Sequence, residues 1–312
     1  MISQFQLPNT DLTVSTICYG VPTFGTIIQH EQMDALYGRF RDAGGNFFDT
    51  AHCYCFWLPD GDGVSERTIG ELVRRAGDDD KVVIATKGCH PSGGEKYVRP
   101  DRFLSSEVLA SDVTDSLNRL RMESIDLFYL HRDDTRVPVE EIIEMLNGEV
   151  RQGRIRYFGA SNWTCERLAV ANAYAAAQGL QGFVASEPLW NMAQPPNPQH
   201  DPTLHALTDD DIRWHGISGL PVIPYSSTAG GYFAADNDWD ISPSSRARRD
   251  RARQLASENG CTPNQIALAF LRAHPFPVIP IIGTVNLDHL DDALGSVEVD
   301  LTPEQVLWLA EG

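Results

Sequence analysis

The chain has 312 residues, of which 42% are hydrophobic and 22% charged, and it carries a formal net charge of −18. That composition is ordinary for a folded globular protein and excludes a disordered or fibrous chain. The acidic balance argues against nucleic-acid and anionic-membrane partners, since both need concentrated positive charge.

The N-terminus lacks the combination of basic start, apolar run and small-residue cleavage site that marks a leader, and no apolar run reaches membrane-spanning length. The expected location is therefore cytoplasmic. Six cysteines (Cys18, Cys53, Cys55, Cys89, Cys165, Cys261) are too dispersed for a disulfide scaffold and are read as reduced thiols.

In chain order, FQLPNTDLTVST (5–16) predicts a small β-hairpin. Eight short apolar or β-branched runs then recur: TICYG (16–20), NFFDT (46–50), VVIATK (82–87), IDLFYLH (125–131), IRYFGAS (155–161), GFVASEP (182–188), PVIPYS (221–226) and VIPIIG (278–283). Most are continuous rather than alternating, as expected of parallel strands covered on both faces. Helical periodicity fills gaps between them at 33–44, 105–120, 139–153 and 262–274, with Gly44-Gly45 as a stop signal and Pro263 suited to a first turn.

Eight strands alternating with helices predict an α/β fold, a single-domain (β/α)₈ TIM barrel over residues 1–312, with long loops after strands six (189–219) and seven (227–245). No Gly-rich dinucleotide fingerprint follows an early strand, which weakens a doubly wound alternative. The acidic stretches 60–63 and 208–212, and the basic stretch SRARRDRARQ (245–254), are read as solvated faces.

In such a barrel the active site lies at the C-terminal ends of the strands. There the sequence sets Asp49 and, just beyond, Tyr54; then Lys87, His131, Ser161-Asn162, Glu187, Tyr225-Ser226 and Gly283-Thr284. An acid, a phenol, an amine and an imidazole on successive strands form a convergent titratable set. A free tyrosine titrates near ~10. An ammonium beside it, held charged by a carboxylate, would stabilise the phenolate and suit the phenol to proton exchange with a carbonyl oxygen.

At this point the chain resembles the aldo-keto reductase superfamily, from about residue 10 to the C-terminus. The resemblance runs through GNFFDTAHCY (45–54), ATKG (85–88), DLFYLHRDD (126–134), GRIRYFGASNW (153–163), IPYS (223–226), TPNQIALAFLRAH (262–274) and PIIGTVNLDHLDDALG (280–295). It implies a catalytic tetrad of Asp49, Tyr54, Lys87 and His131 and reduction of aldehydes or ketones, or oxidation of the matching alcohols. It also implies nicotinamide contacts by Ser161, Asn162, Glu187 and Tyr225, phosphate contacts by Ser226, Gly283 and Thr284, and further cofactor contacts by Gly20, Asp49, His289 and Asp292.

Two departures stand out. Glu187 occupies the place of the family's usual carboxamide-binding glutamine, and a carboxylate cannot donate to the amide oxygen unless protonated. After the last strand Val285 stands where an arginine is common, with His289, Asp288, Asp291 and Asp292 around it. NADP(H) is the family default, and the missing basic residue leaves NAD(H) as an alternative.

His52, Cys53, Cys55, Cys89 and His90 are zinc-type ligands near the site, but Cys53-x-Cys55 is tighter than the usual spacing and no metal is expected. Trp57, with Trp163, Trp190, Trp239 and Tyr232 on other loops, is read as an apolar platform for a sugar-like or cyclic substrate, with Asp60 or Asp62 taking hydroxyl bonds. The competing function is a nicotinamide-binding sensor or regulatory subunit with little turnover. A metal-dependent barrel lyase or isomerase is weaker still. The oligomeric state is not read from the sequence.

Overall fold

The computed structural model describes residues 1–28, 31–193, 201, 203–234 and 242–311. The hairpin is present: β1 (Gln4–Gln6) pairs antiparallel with β2 (Thr13–Ser15). After β3 (Cys18–Gly20), strands and helices alternate: α1 (Glu31–Asp42), β4 (Phe47–Asp49), α2 (Val64–Ala76), β5 (Val83–Gly88), α3 (Ser106–Leu120), β6 (Ile125–Leu130), α4 (Val139–Arg151), β7 (Ile155–Ser161), α5 (Cys165–Gln178) and β8 (Ser186–Glu187). Then come α6 (Asp209–Ser218), α7 (Pro243–Asn259), α8 (Pro263–Arg272), β9 (Ile281–Ile282), α9 (Leu287–Gly295) and α10 (Pro303–Glu311).

β3 to β9 form a seven-stranded parallel sheet in the order β8-β7-β6-β5-β4-β3-β9. The predicted seventh run, 221–226, forms no named strand but bonds on both sides. Ile223 N donates to Ser186 O at 2.8 Å and Tyr225 N to Pro188 O at 3.1 Å; Val222 N donates to Pro277 O at 2.9 Å, and Ile279 N returns to Val222 O at 2.9 Å. Pro188, Pro221, Pro224, Pro277 and Pro280 supply no N–H, so regular ladders cannot extend through this part of the sheet.

The period of two along each strand sorts the side chains. One face carries Phe47, Val83, Ala85, Leu127, Tyr129, Ile223, Ile279 and Ile281, packed with Leu7, Leu12 and Val14 of the hairpin region. The opposite face carries Tyr19, Phe48, Ile84, Phe128, Phe158 and Ile282, buried against apolar residues of the surrounding helices. Asp49 follows Phe47 by two residues and Lys87 follows Ala85 by two, so both stand on the hairpin-capped face at the opposite end of the strands.

The helices start where local chemistry satisfies free N–H groups. Thr262 and Gln265 form a capping box at α8 with Pro263 at its first turn, and Ser105 caps α3. Residues 208–212, expected to be merely solvated, make a second capping box, Thr208–Asp211, at α6; a helix therefore interrupts the predicted long loop 189–219. The basic stretch 245–254 lies in α7, but not as a purely solvated face. Arg248 donates to Ala310 O and Met192 O, Arg251 to Leu309 O, and Arg249 is buried with its guanidinium 4.7 Å from the Tyr232 ring centroid. Among the described residues no helix is long and apolar enough to cross a membrane.

Candidate active site

β4 ends in Asp49, and the turn beyond it is anchored by His52 N donating to Lys87 O at 2.8 Å. This bond ties the turn that carries Tyr54 to the end of β5. Lys87 Nζ, buried, donates to Asp49 Oδ2 at 2.6 Å, Thr50 O at 2.9 Å and Tyr54 Oη at 3.0 Å, and lies 3.3 Å from Glu187 Oε1. Three of the expected four residues therefore meet at one ammonium. His131, just past β6, completes the group, its ring 5.9 Å from that of Tyr54 and inclined at 80°.

The electrostatics differ from the simple expectation for Tyr54. Burial pushes its phenol above the ordinary value, against the lowering effect of Lys87, and the Asp49 and Glu187 charges add to the rise. Burial alone would strip Lys87 of its proton, but Asp49 and Glu187 hold it well above the usual lysine range. Burial, and then the Asp49 charge, push Glu187 well above the usual carboxylate range. One ammonium cannot neutralise two buried carboxylates. Lys87 sits closer to Asp49, so the ion pair is Asp49–Lys87 and the extra proton resides on Glu187. Glu187 Oε2 and Asp49 Oδ1 are buried without a hydrogen-bond partner.

Burial, reinforced by His90 and by the Arg132 and Lys87 charges, holds His131 well below the ordinary histidine value, as a neutral imidazole at pH 7. Its Nδ1 lies 3.4 Å from Cys53 Sγ. The Cys53 thiol, pushed up to about 12 by burial, stays protonated and can donate to Nδ1, which leaves the ring proton on Nε2. Sequence reasoning missed this partner and the Thr50 carbonyl; Cys53 and His131 are 78 positions apart and nothing local signals the pairing.

The expected cofactor residues gather unevenly. Ser161 Oγ donates to Glu187 O at 2.8 Å, and Asn162 Nδ2 donates to Ser161 Oγ at 3.0 Å. Asn162 Oδ1 accepts from Tyr225 Oη at 2.8 Å and from His205 N at 3.2 Å. Ser226, Gly283 and His289 are exposed, and Thr284 is half-buried. Gly20 is required by packing: a Cβ there would lie 2.8 Å from Ile281 Cγ2. Asp292 does not reach outward from α9, since it accepts from Thr262 Oγ1 and Asn264 Nδ2.

The aromatic platform is only partly assembled. Trp57 is 47% exposed beside Phe56, and Phe56 leans on Tyr97 at 5.1 Å. Lys96 Nζ donates to Trp57 O at 2.7 Å, linking this turn to the loop after β5. Trp163 departs from the expectation: the chain reverses at Asn162 (φ 62°), and Trp163 is buried against Phe183 under α5. Trp190 is also buried, stacked on Phe276, and Tyr232 lies under Arg249. A cavity of about 790 Å³ beside Trp190 is lined from α6, α8 and α10 and includes no member of the Lys87 cluster. Trp239 lies outside the described residues. Asp62 accepts from Arg119 at 3.0 Å, whereas Asp60 is exposed.

Residues 16–311 match the model of the aldo/keto reductase family. The chain belongs to that family. Among characterised proteins it is similar to norsolorinic acid reductase B of Aspergillus parasiticus, at 29% identity over 96% of this chain and 81% of that protein. The aryl-alcohol dehydrogenase [NADP(+)] of Phanerodontia chrysosporium is 27% identical, over 93% and 77% of the two chains. A probable voltage-gated potassium channel subunit beta of Oryza sativa subsp. japonica is 26% identical, over 96% and 93%. Membership of this aldo-keto reductase family, with relatives named as reductases and dehydrogenases, makes the chain an oxidoreductase of carbonyl or alcohol substrates.

Proposed function

We propose that this aldo-keto reductase is a single (β/α)₈ barrel domain, with 221–226 as its seventh strand in chain order, that reduces aldehyde or ketone carbonyls with a nicotinamide cofactor or oxidises the matching alcohols. The observation that carries the reading is the bridge from Asp49 through Lys87 Nζ to Tyr54 Oη, at 2.6 and 3.0 Å. The remaining residues suit the cofactor's amide: a protonated Glu187 carboxyl, its Oε2 without a partner, can both donate and accept, as a glutamine would, beside Asn162 and the half-buried Tyr225. Gly283 leaves open space, where an added Cβ would meet nothing closer than Gly20 O at 3.9 Å, and it would lie with Ser226 and Thr284 along the phosphates.

Bound nicotinamide supplies or accepts the hydride. Tyr54 then delivers its proton to the carbonyl oxygen, and Lys87 stabilises the phenolate left behind. Asp49 keeps Lys87 charged and in place. Neutral His131 donates from Nε2 to the same oxygen and sets its orientation. In alcohol oxidation Tyr54 takes the proton back.

NADP(H) use is supported by the family and by the name of the Phanerodontia relative. NAD(H) use is supported by residues 284–295, which contain no Lys or Arg, and by the pairing of nearby Arg39 with Asp291 at 2.5 Å. The name of the Phanerodontia relative favours aryl alcohols over sugars, and the exposed Trp57 suits either ring. A regulatory role with little turnover is favoured by one observation, the channel-subunit name of the rice relative.

Purified protein offered NADPH and NADH in parallel, with aryl aldehydes, ketones and keto-sugars, should consume reduced cofactor on the aryl substrates. Tight binding of cofactor without consumption on any substrate would overturn the enzymatic reading in favour of the regulatory one.

A further inference from the structure

The fold assembles a set of metal-type ligands different from the clustered cysteines of the sequence. His52 instead faces Tyr97 and Asp115, and Cys55 Sγ faces Pro22 O. Cys53, His90 and His131 converge from three segments: the turn after β4, the loop after β5 and the end of β6. One ligand atom from each lies within 4.8 Å of the others.

The local geometry suits a tetrahedral ion. Zinc bonds of about 2.3 Å to sulfur and about 2.0 Å to nitrogen set those atoms roughly 3.5 Å apart, and Cys53 Sγ lies 3.4 Å from His131 Nδ1. His90 meets His131 edge to face, with ring centroids 4.8 Å apart. His90 Nδ1 lies 2.7 Å from Pro91 O. A carbonyl only accepts, so Nδ1 carries the proton and Nε2 keeps its lone pair for a metal.

We propose that Cys53, His90 and His131 form a binding site for a zinc-class divalent ion. On binding, the Cys53 S–H bond breaks, its proton leaves to solvent and a sulfur–metal bond forms, with no change of oxidation state. One sulfur and two imidazole nitrogens select zinc or cobalt over magnesium or calcium. Among the described residues no fourth Cys, His, Asp or Glu joins the set, so water takes the remaining position. The Lys87 and Arg132 charges near Cys53 oppose a dication, and binding is weaker than at a closed structural zinc site. Binding stands apart from the proposed catalysis.

The test uses metal-free full-length protein. Cobalt(II) should give a thiolate-to-metal charge-transfer absorption and tetrahedral ligand-field bands, and calorimetry with zinc should give one ion per chain. Cys53→Ala and His90→Ala should each weaken zinc binding by at least about tenfold. No thiolate band in the unaltered chain would overturn the site, even if a variant fails to fold, as would zinc binding unchanged in both variants.

Discussion

The two ends of the central strands handle buried charge in opposite ways. At the end capped by the hairpin, Asp126 of β6 accepts from Ile84 N at 3.1 Å and Arg156 Nη1 at 2.6 Å, while Arg156 Nη2 reaches Asp11 Oδ1 at 2.7 Å. Both carboxylate oxygens of Asp126 are thus engaged. At the other end, two buried carboxyls share one ammonium, and an oxygen of each has no partner. The first arrangement is what stability favours, and under the proposed function the second would present a proton-bearing phenol and unpartnered polar atoms to a ligand.

Substitutions can break this contrast. The largest effect is expected from Lys87→Met, which should lower turnover by roughly 10²–10⁴-fold and stability by roughly 3–5 kcal/mol at neutral pH, since Asp49 is left as an unpaired buried charge. Melting curves taken at lower pH, where Asp49 takes up a proton, should recover part of the stability loss. Unchanged turnover would detach Lys87 from the chemistry.

At the capped end, Arg156→Ala should cost roughly 1–2 kcal/mol by leaving one Asp126 oxygen without its donor. Steady-state turnover should stay within about twofold of the original. A large fall in turnover would show that the two ends are not independent.

The smallest and most discriminating change is Glu187→Gln. An acid whose folded pKa is raised above its ordinary 4.5 keeps its proton after the unfolded chain has lost it. Its contribution is therefore fully present below about 4.5 and is lost as pH rises toward the raised folded value. The Gln variant escapes that loss. Its stability should match the original near pH 4 and equal or exceed it at pH 7 to 8, as read by denaturant titration at each pH. A variant that is less stable at high pH and equal at low pH would mean that Glu187 is ionised in the folded chain.

Much of this contrast was legible in the residues themselves. Asp49, Lys87 and His131 could be placed at strand ends because continuous apolar runs precede them, and Tyr54 follows within one turn. The hairpin was legible too, in FQLPNTDLTVST (5–16). What failed was information held between distant segments. The prolines of 188–280 were visible, but their breaking of the ladders depends on which neighbour each would have bonded. Trp163 looked available because it follows a strand, yet the left-handed turn at Asn162 sends it beneath α5. Asp211 looked like part of a solvated acidic run until its capping partner Thr208 set it at a helix start. The pairing of Cys53 with His131, and the upward push on the Tyr54 phenol, come from burial that no local pattern encodes.

The account rests on Tyr54 as the proton donor organised by Lys87. A single-turnover measurement on Tyr54→Phe, following loss of reduced nicotinamide with an aryl aldehyde and titrating cofactor binding on the same sample, tests this most directly. The prediction is unchanged cofactor binding with the reaction slowed by roughly 10²–10⁴-fold. Single-turnover rates that match the original protein would contradict it.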